Sequence, residues 1–349
     1  MDEAKLHELV GGFLKDLGGA FSVPLVQIGE KLGLYEKLHE SGPMTAAELA
    51  SATKLSPRYI AEWLAAQASS NYIQYDPANK KFSLSPEQAF ILADRSSPFY
   101  LAPAFTVAAA FQQNEEKVRQ AFKTGEGIPW GEQTECLSCA VANFFRPGYE
   151  NHITSSWLPA LSGVVEKLEN GAEVADLGCG LGLSTYFMAK AYPKSSFVGY
   201  DFHEGSIAEA KSHAEKHKLP NLRFEVSTAK ALPGKYDLIT IFDCLHDMGD
   251  PVGAMKQVKE DLKDGGTCMI VEPMAGDKLE ENLNPISRLF YAASTMCCIP
   301  TSLAQEEGLA LGAQAGEKRI REVIVDGAGF SVLKRVSETP FNMILEARP

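Results

Sequence analysis

Asp176, Gly178, Gly180 and Gly182 stand in the spacing D-x-G-x-G-x-G, and a second acid, Asp201, follows further along. The apolar residues before Asp176 read as a buried strand, and Ser184 with the run 185–191 opens a helix. Glycines allow a tight turn and let a ligand approach the backbone. The helix start offers unpaired N–H groups. A dinucleotide fingerprint G-x-G-x-x-G needs a glycine at 183, where Leu183 stands. An acid two residues before the turn also repels a pyrophosphate, whereas it favours a ligand bearing an ammonium group. The next strand, 196–200, ends in Asp201, placed to accept both hydroxyls of a ribose. Amino-acid end, ribose and adenine together describe S-adenosylmethionine (SAM).

A second constellation lies further on. A strand at 238–242 runs into Asp243-Cys244-Leu245-His246-Asp247, and the strand after it, 268–271, runs into Glu272. Ligands of open α/β sheets bind beyond the carboxyl ends of the strands. A neutral His246 there could take a proton from a hydroxyl as its oxygen attacks the donor methyl. Glu272 could hold the ring in one tautomer and stabilise its charged form. The competing reading of His246 is a structural loop histidine. Arg146, Tyr149 and His152 could bind a substrate carboxylate, for which Arg is suited, or could cap a helix and face solvent. Cys136-x-x-Cys139 and Cys297-Cys298 have metal-like spacing, but helix packing is the simpler reading, because a zinc site wants four ligands. Asp243, Asp247 and Glu272 could suit Mg²⁺, yet a histidine in place of an oxygen ligand argues against it. No metal is expected.

The elements that must position these groups alternate as strand and helix from about residue 166. Strands are expected at 173–176, 197–201, 223–226, 238–242, 268–271, 330–335 and 342–346, with the last two close enough to be antiparallel. Before them, residues 1–95 read as a winged-helix domain of dimerisation type. A helix is expected at 28–37, then one capped by the Thr45–Glu48 capping box, then one opened by Ser56-Pro57, then a hairpin of 72–75 and 81–84. The third helix carries Arg58 and Glu62 among Ala, Trp and Leu, an apolar packing face rather than a DNA-reading one. Residues 96–165 read as a helical cover over the active site, and 276–316 as a lid inserted in the catalytic domain, 166–349. Soft side chains there suit a pocket wall or an interface.

The net charge of −12 over 349 residues argues against nucleic acid as the main partner. No apolar run is expected to approach the length that crosses a bilayer. The first residues are not a basic leader, and seven cysteines fit reduced thiols, so the expected location is cytoplasmic.

With these residues in place, the chain resembles class I SAM-dependent methyltransferases. The run Leu245-His246-Asp247-Met248-Gly249-Asp250 looks like the L-H-D-W-x-D motif of winged-helix, plant-type small-molecule O-methyltransferases. The chain also resembles a bacterial group of winged-helix methyltransferases of poorly defined substrate. The resemblance implies a Rossmann-like α/β sheet of seven strands with the last antiparallel, a homodimer, and SAM as methyl donor with S-adenosylhomocysteine as product. It implies His246 as general base with Glu272 and Asp247 beside it, and Glu317 as a further acid at the substrate. The cofactor contacts expected are Asp176, Gly178, Gly180, Gly182 and Asp201; Ser227 and Thr228 stand where the family has an acid, Phe202 could pack on the adenine, and Asp243 could meet the amino group or simply end the strand. The chain departs from the family at Phe242, where a lysine is usual, and at Met248, where tryptophan is usual.

The expected function is methyl transfer to a hydroxyl oxygen of a small molecule. Transfer to nitrogen or sulfur, which needs no base, is the first alternative. A SAM-sensing DNA-binding regulator and a SAM-binding enzyme that does not methylate are the others.

Overall fold

A computed structural model describes residues 1–134, 137–230 and 232–349. Cys136 therefore lies outside the described residues. The chain divides into two compact units, one of residues 1–110 with 143–147, the other of 111–142 with 148–349.

The first unit opens with α1 (Glu3–Lys31), capped by Asp2, whose carboxylate accepts the N–H groups of Ala4 and Lys5. Helices α2 (Leu34–Ser41), α3 (Ala46–Thr53) and α4 (Pro57–Ser69) follow, then a hairpin of β1 (Gln74–Asp76) and β2 (Lys81–Ser83), α5 (Pro86–Leu92) and the first residues of α6 (Ala104–Thr124), most of which counts with the second unit. The Thr45–Glu48 capping box is formed, and Ser85 with Gln88 forms a second. The single helix expected at 28–37 is instead two, because Gly33 adopts φ 66° and ends the first. Ile60, Trp63 and Leu64 of α4 lie in this unit's own core with Tyr35, Leu38 and Leu49. The apolar face of the third helix is thus used internally and is not free for a partner. Trp63 Nε1 donates to the Leu25 carbonyl at 2.9 Å, which ties α1 to α4.

A run of exposed apolar side chains lies on α1. Leu9, Phe13, Leu14, Leu17 and Phe21 are exposed, Phe13 by 70%. An 18-residue stretch of this helix has mean hydropathy 1.3, long and apolar enough to cross a membrane by length and composition, with 17% of it buried. The expectation that no such run exists is corrected. Its glycine pairs and scattered Lys15, Asp16 and Ser22 interrupt the apolar letters while scarcely lowering the mean.

The second unit is built on a seven-stranded sheet in the order β5-β4-β3-β6-β7-β9-β8. Its strands are β3 (Glu173–Leu177), β4 (Ser196–Asp201), β5 (Leu222–Val226), β6 (Tyr236–Phe242), β7 (Leu262–Pro273), β8 (Val332–Glu338) and β9 (Asn342–Arg348). All pairs are parallel except β7 with β9 and β9 with β8, so the last strand alone runs against the rest. Helices α7 (Leu137–His152) and α8 (Val164–Asn170) precede the sheet. Crossovers α9 (Leu183–Ala191), α10 (Glu204–His217) and α11 (Pro251–Asp261) link the parallel strands. Between β7 and β8 come α12 (Pro285–Ala293), α13 (Ile299–Leu303) and α14 (Gly316–Arg321). Ala175, Ile239, Ile241 and Ile270 share one face of the sheet and pack with Met255 and Val258 of α11, while Val174, Leu238 and Met269 on the opposite face are buried too, as in parallel sheets covered on both sides. The strand order reverses between β3 and β6, so the carboxyl ends of β3, β4, β6 and β7 converge at one crevice.

Candidate active site

The loop after β3 is pinned to the end of β4. Gly178 and Cys179 both donate N–H to the Tyr200 carbonyl, at 2.8 and 3.0 Å. Gly178, Gly180 and Gly182 all have positive φ, of 72°, 53° and 79°. A Cβ on Gly182 would lie 2.4 Å from the Phe224 ring, and one on Gly178 would lie 2.2 Å from Cys244 Sγ, so the turn admits no side chain at either place. Beyond Gly180 a Cβ would meet nothing within 4 Å, which leaves its backbone open to a ligand. Its N–H donates to Asp201 Oδ2 at 3.0 Å, and His203 N–H donates to Oδ1 at 2.8 Å. Each Asp201 oxygen therefore keeps a further lone pair. Burial raises the pKa of this carboxyl.

Asp176 is deeper. Its Oδ2 accepts the hydroxyls of Ser184 and Thr185, both at 2.6 Å, and its Oδ1 accepts Thr240 Oγ1 at 2.9 Å. It is 1% exposed, and burial pushes its pKa up to about 6. The structure gives it the work of fixing the start of α9 against β6. These hydroxyls give Asp176 a structural role beside the ligand contact expected of it.

At the ends of β6 and β7 the second constellation is assembled. His246 Nδ1 and Glu272 Oε2 are 2.6 Å apart, and Glu272 Oε1 accepts the Leu245 N–H at 3.0 Å. Both side chains are buried. His246 Nε2 lies 3.3 Å from Asp247 Oδ1. Burial opposes the charged ring, but Glu272 and then Asp247 outweigh it, and the imidazole is pushed up to about 10. Asp247 itself is raised by burial. The two constellations abut through Cys244 and Gly178.

Asp243 leaves β6 with φ 47°, a strained conformation for a residue with a side chain. Its Oδ2 accepts Tyr149 Oη at 2.9 Å and its Oδ1 accepts Asn342 Nδ2 at 2.8 Å. Burial and then Glu272 push it up to about 8. Each oxygen thus serves one protein donor, and Asp243 helps to order the loop. Tyr149 gives its hydroxyl to Asp243 and is buried, which removes it as the expected substrate-carboxylate contact.

The segment 276–316, expected as a lid, is stitched to the histidine loop. Ser302 Oγ donates to the Met248 carbonyl and Gln305 Nε2 to that of Asp247, both at 2.8 Å. Gly312 N–H donates to the His246 carbonyl at 3.3 Å, and Leu309 N–H to that of Gly249 at 2.9 Å. These contacts, with Asn342 on β9 and Cys298 beside Asp247, were not legible as a pattern, because each partner is a common polar residue far away in sequence.

Other expected site residues lie elsewhere. Arg146 is exposed, and burial lowers the His152 pKa while the ring stacks on Trp157, so His152 is a poor anion site. Glu317 pairs with Arg335 at 2.9 Å and lies within 3.9 Å of Arg321, along a surface cleft with Asp277 and Glu281. That pairing employs its carboxylate in place of the expected substrate contact. Phe202 is half exposed beside Asp201. Ser227 donates its N–H to the Asp201 carbonyl at 3.0 Å and Thr228 is exposed next to it, so both flank the acid. Cys139 is exposed and far in sequence from the buried pair Cys297 and Cys298.

Comparison with known proteins agrees with this geometry. Residues 168–319 match the family model described as a methyltransferase domain, and residues 20–94 match an Rv2258c-like winged HTH domain. A trans-aconitate 2-methyltransferase of Deinococcus radiodurans is 31% identical over 112 residues, 32% of this chain and 42% of that protein. A ubiquinone biosynthesis O-methyltransferase of Albidiferax ferrireducens is 28% identical over 127 residues, 35% of this chain and 48% of that protein. The chain spans about half the length of the curated relatives it matches. Solved structures share the fold over the whole chain. Human N-acetylserotonin methyltransferase in complex with SAM superposes with TM-score 0.71 at 17% identity, covering 100% of this chain and 98% of that one. The mitomycin 7-O-methyltransferase MmcR superposes with TM-score 0.69 at 18% identity, covering 99% of both. The seven-stranded unit carries the match to a methyltransferase domain and has the fold of the solved methyltransferases, and residues 20–94 carry the winged-helix match.

Proposed function

We propose that this methyltransferase-domain chain transfers a methyl group from SAM to a hydroxyl oxygen of a small molecule. The observation that carries the reading is the meeting of two half-sites at Gly178 and Cys244: an open glycine turn with a buried ribose-accepting acid, and a buried histidine–carboxylate pair.

The residues present fit SAM. Asp201 offers a free lone pair on each oxygen to the two ribose hydroxyls, and the bare Gly180 backbone leaves room for the amino-acid end. Phe202, Ser227 and Thr228 would border the adenine. SAM supplies an electrophilic methyl on a sulfonium, which departs as a neutral thioether. His246 would accept the acceptor's proton at Nε2 while Glu272 takes a hydrogen bond from Nδ1–H. That bond fixes the tautomer and stabilises the ring once charged. To act so, His246 must first lose the extra proton that Glu272 and Asp247 favour. A cation held beside it works in that direction. General-base help of this kind contributes about 10²- to 10⁴-fold.

One observation favours a second reading. An imidazole held charged by two carboxylates is a poor base at neutral pH, which suits transfer to nitrogen or sulfur. The two readings separate on one variant. Calorimetry with SAM and S-adenosylhomocysteine tests the cofactor. Labelled methyl transfer to hydroxyl, amine and thioether acceptors then tests the atom. His246→Ala should keep SAM affinity and cut transfer to oxygen at least about 100-fold. Unchanged turnover would leave only the base-free reading, and no SAM binding would remove both.

A homodimer is part of the proposal. The support is the exposed apolar face of α1, larger than a lone soluble helix commonly leaves in water.

A further inference from the structure

We propose that His246, Asp247 and Cys298 form a site for a soft divalent cation of the zinc class, at the acceptor end of the crevice. Among the described residues, one nitrogen, one carboxylate oxygen and one sulfur of these three side chains lie within 4.8 Å of one another. The His246 Nε2 to Asp247 Oδ1 separation is 3.3 Å. Bonds of about 2.1 Å at a tetrahedral angle place two such ligands about 3.4 Å apart, so the pair already has the spacing of one edge of a zinc tetrahedron. Asp247 Oδ1 is buried without a hydrogen-bond partner despite this closeness. A buried carboxylate oxygen that faces a ring nitrogen without bonding to it is explained by a cation that both would share.

The surroundings support the same assignment. His246 is held through Nδ1 by Glu272 Oε2 at 2.6 Å, the arrangement that aims the other ring nitrogen of a histidine at a metal. Cys298 is buried, and its sulfur is the third atom of the group. A thiolate, an imidazole and one carboxylate favour zinc over magnesium or calcium, which take oxygen ligands. As the metal bonds form, Cys298 releases its thiol proton and His246 any Nε2 proton to solvent. Three protein ligands leave a fourth position open.

One consequence rests on the proposed methyl transfer to oxygen. The Nε2 lone pair that would bind the cation is the one that would accept the acceptor's proton, so cation binding and base catalysis exclude each other. Zinc should then inhibit methylation, and a chelator should restore it.

The test is titration of Co²⁺ into the chelator-treated full chain, followed by absorption. A thiolate-to-cobalt band saturating at one equivalent is expected, displaced by Zn²⁺, retained in Cys139→Ser and lost in Cys298→Ser. The same band in Cys298→Ser, or no band in the wild type, overturns the site. Circular dichroism checks that Cys298→Ser is folded. Should it not be, X-ray absorption of the wild-type zinc complex decides, with a single sulfur among nitrogen and oxygen ligands expected and an all-sulfur or sulfur-free shell overturning the proposal. Cobalt binding that leaves methylation unaffected keeps the site and removes His246 as the base. Inhibition by zinc that persists in Cys298→Ser places the inhibitory site elsewhere.

Discussion

Glu272→Gln isolates what the buried carboxylate does for His246. In the wild type the imidazole is pushed up to about 10, with Glu272 the larger of its raising influences. An opposite charge at this range moves a pKa by about 1–3 units, and each unit corresponds to about 1.4 kcal/mol. Glutamine should therefore bring the imidazole down by about 1–3 units. If His246 is the base, the rate requires the neutral ring, so kcat/KM rises with pH and levels off near the free-enzyme pKa. The rising limb should move to lower pH by the same 1–3 units in the variant, while the plateau falls because a weaker base has less driving force. A limb set by the acceptor's own ionisation would not move. The sign for stability runs with the pair. A histidine with a raised folded pKa stabilises fully below its unfolded value, near 6.5, and this contribution disappears as pH rises toward about 10. The destabilisation by Glu272→Gln should thus be largest near pH 6 and shrink at alkaline pH. A pH-independent remainder of about 1–3 kcal/mol is expected, because one amide oxygen cannot accept from both His246 and the Leu245 N–H. The assay is labelled methyl transfer across pH, with the His246 ring followed by NMR and assigned by its absence in His246→Ala. A folded variant whose limb and ring titration both stay at wild-type values would refute the pairing as the source of the shift.

Three further outcomes follow from the same geometry. Asp201→Ala should weaken SAM about 10- to 100-fold in calorimetry, the loss expected for hydrogen bonds to a charged acceptor worth about 1.5–3 kcal/mol; unchanged affinity would remove the ribose assignment. Gly182→Ala should cost about 1–3 kcal/mol in denaturant unfolding, since its Cβ would meet Phe224 at 2.4 Å with φ at 79°; a variant as stable as the wild type would contradict the close packing. Phe13→Glu with Leu17→Glu, both on the exposed face of α1, should convert a dimer to a folded monomer in light scattering. A dimer that survives would move the interface off this face.

The parts of the molecule that were legible in the sequence are those governed by local rules. The strand–turn–helix at Asp176–Gly182 follows from an apolar run and residues that tolerate positive φ, and the Thr45–Glu48 cap follows from two side chains three residues apart. The mostly parallel sheet follows from alternating strands and crossovers, and its antiparallel end from a connection too short for a helix, whereas the strand order is not written in any local run. Roles that depend on which polar partner arrives from elsewhere were not legible. The three hydroxyls that donate to Asp176, one from another strand, and the Tyr149 and Asn342 donors to Asp243 come from positions that no local spacing marks.

The site taken as a whole explains why so many of its acids sit above their ordinary range. Asp176, Asp201, Asp243 and Asp247 are all raised, with burial the first cause in each case. Several of these acids also oppose one another: Asp201 raises Asp176, and Glu272 raises both Asp243 and Asp247. Against these five carboxylates the pocket offers His246 as its cation. Such a cluster costs folding free energy unless something positive completes it. A sulfonium bound at the glycine turn and a metal ion at His246 would each relieve the same excess of negative charge from opposite ends of the crevice. A cation at either end would lower these raised carboxyl pKa values, which titration of the site with and without the ligand would read.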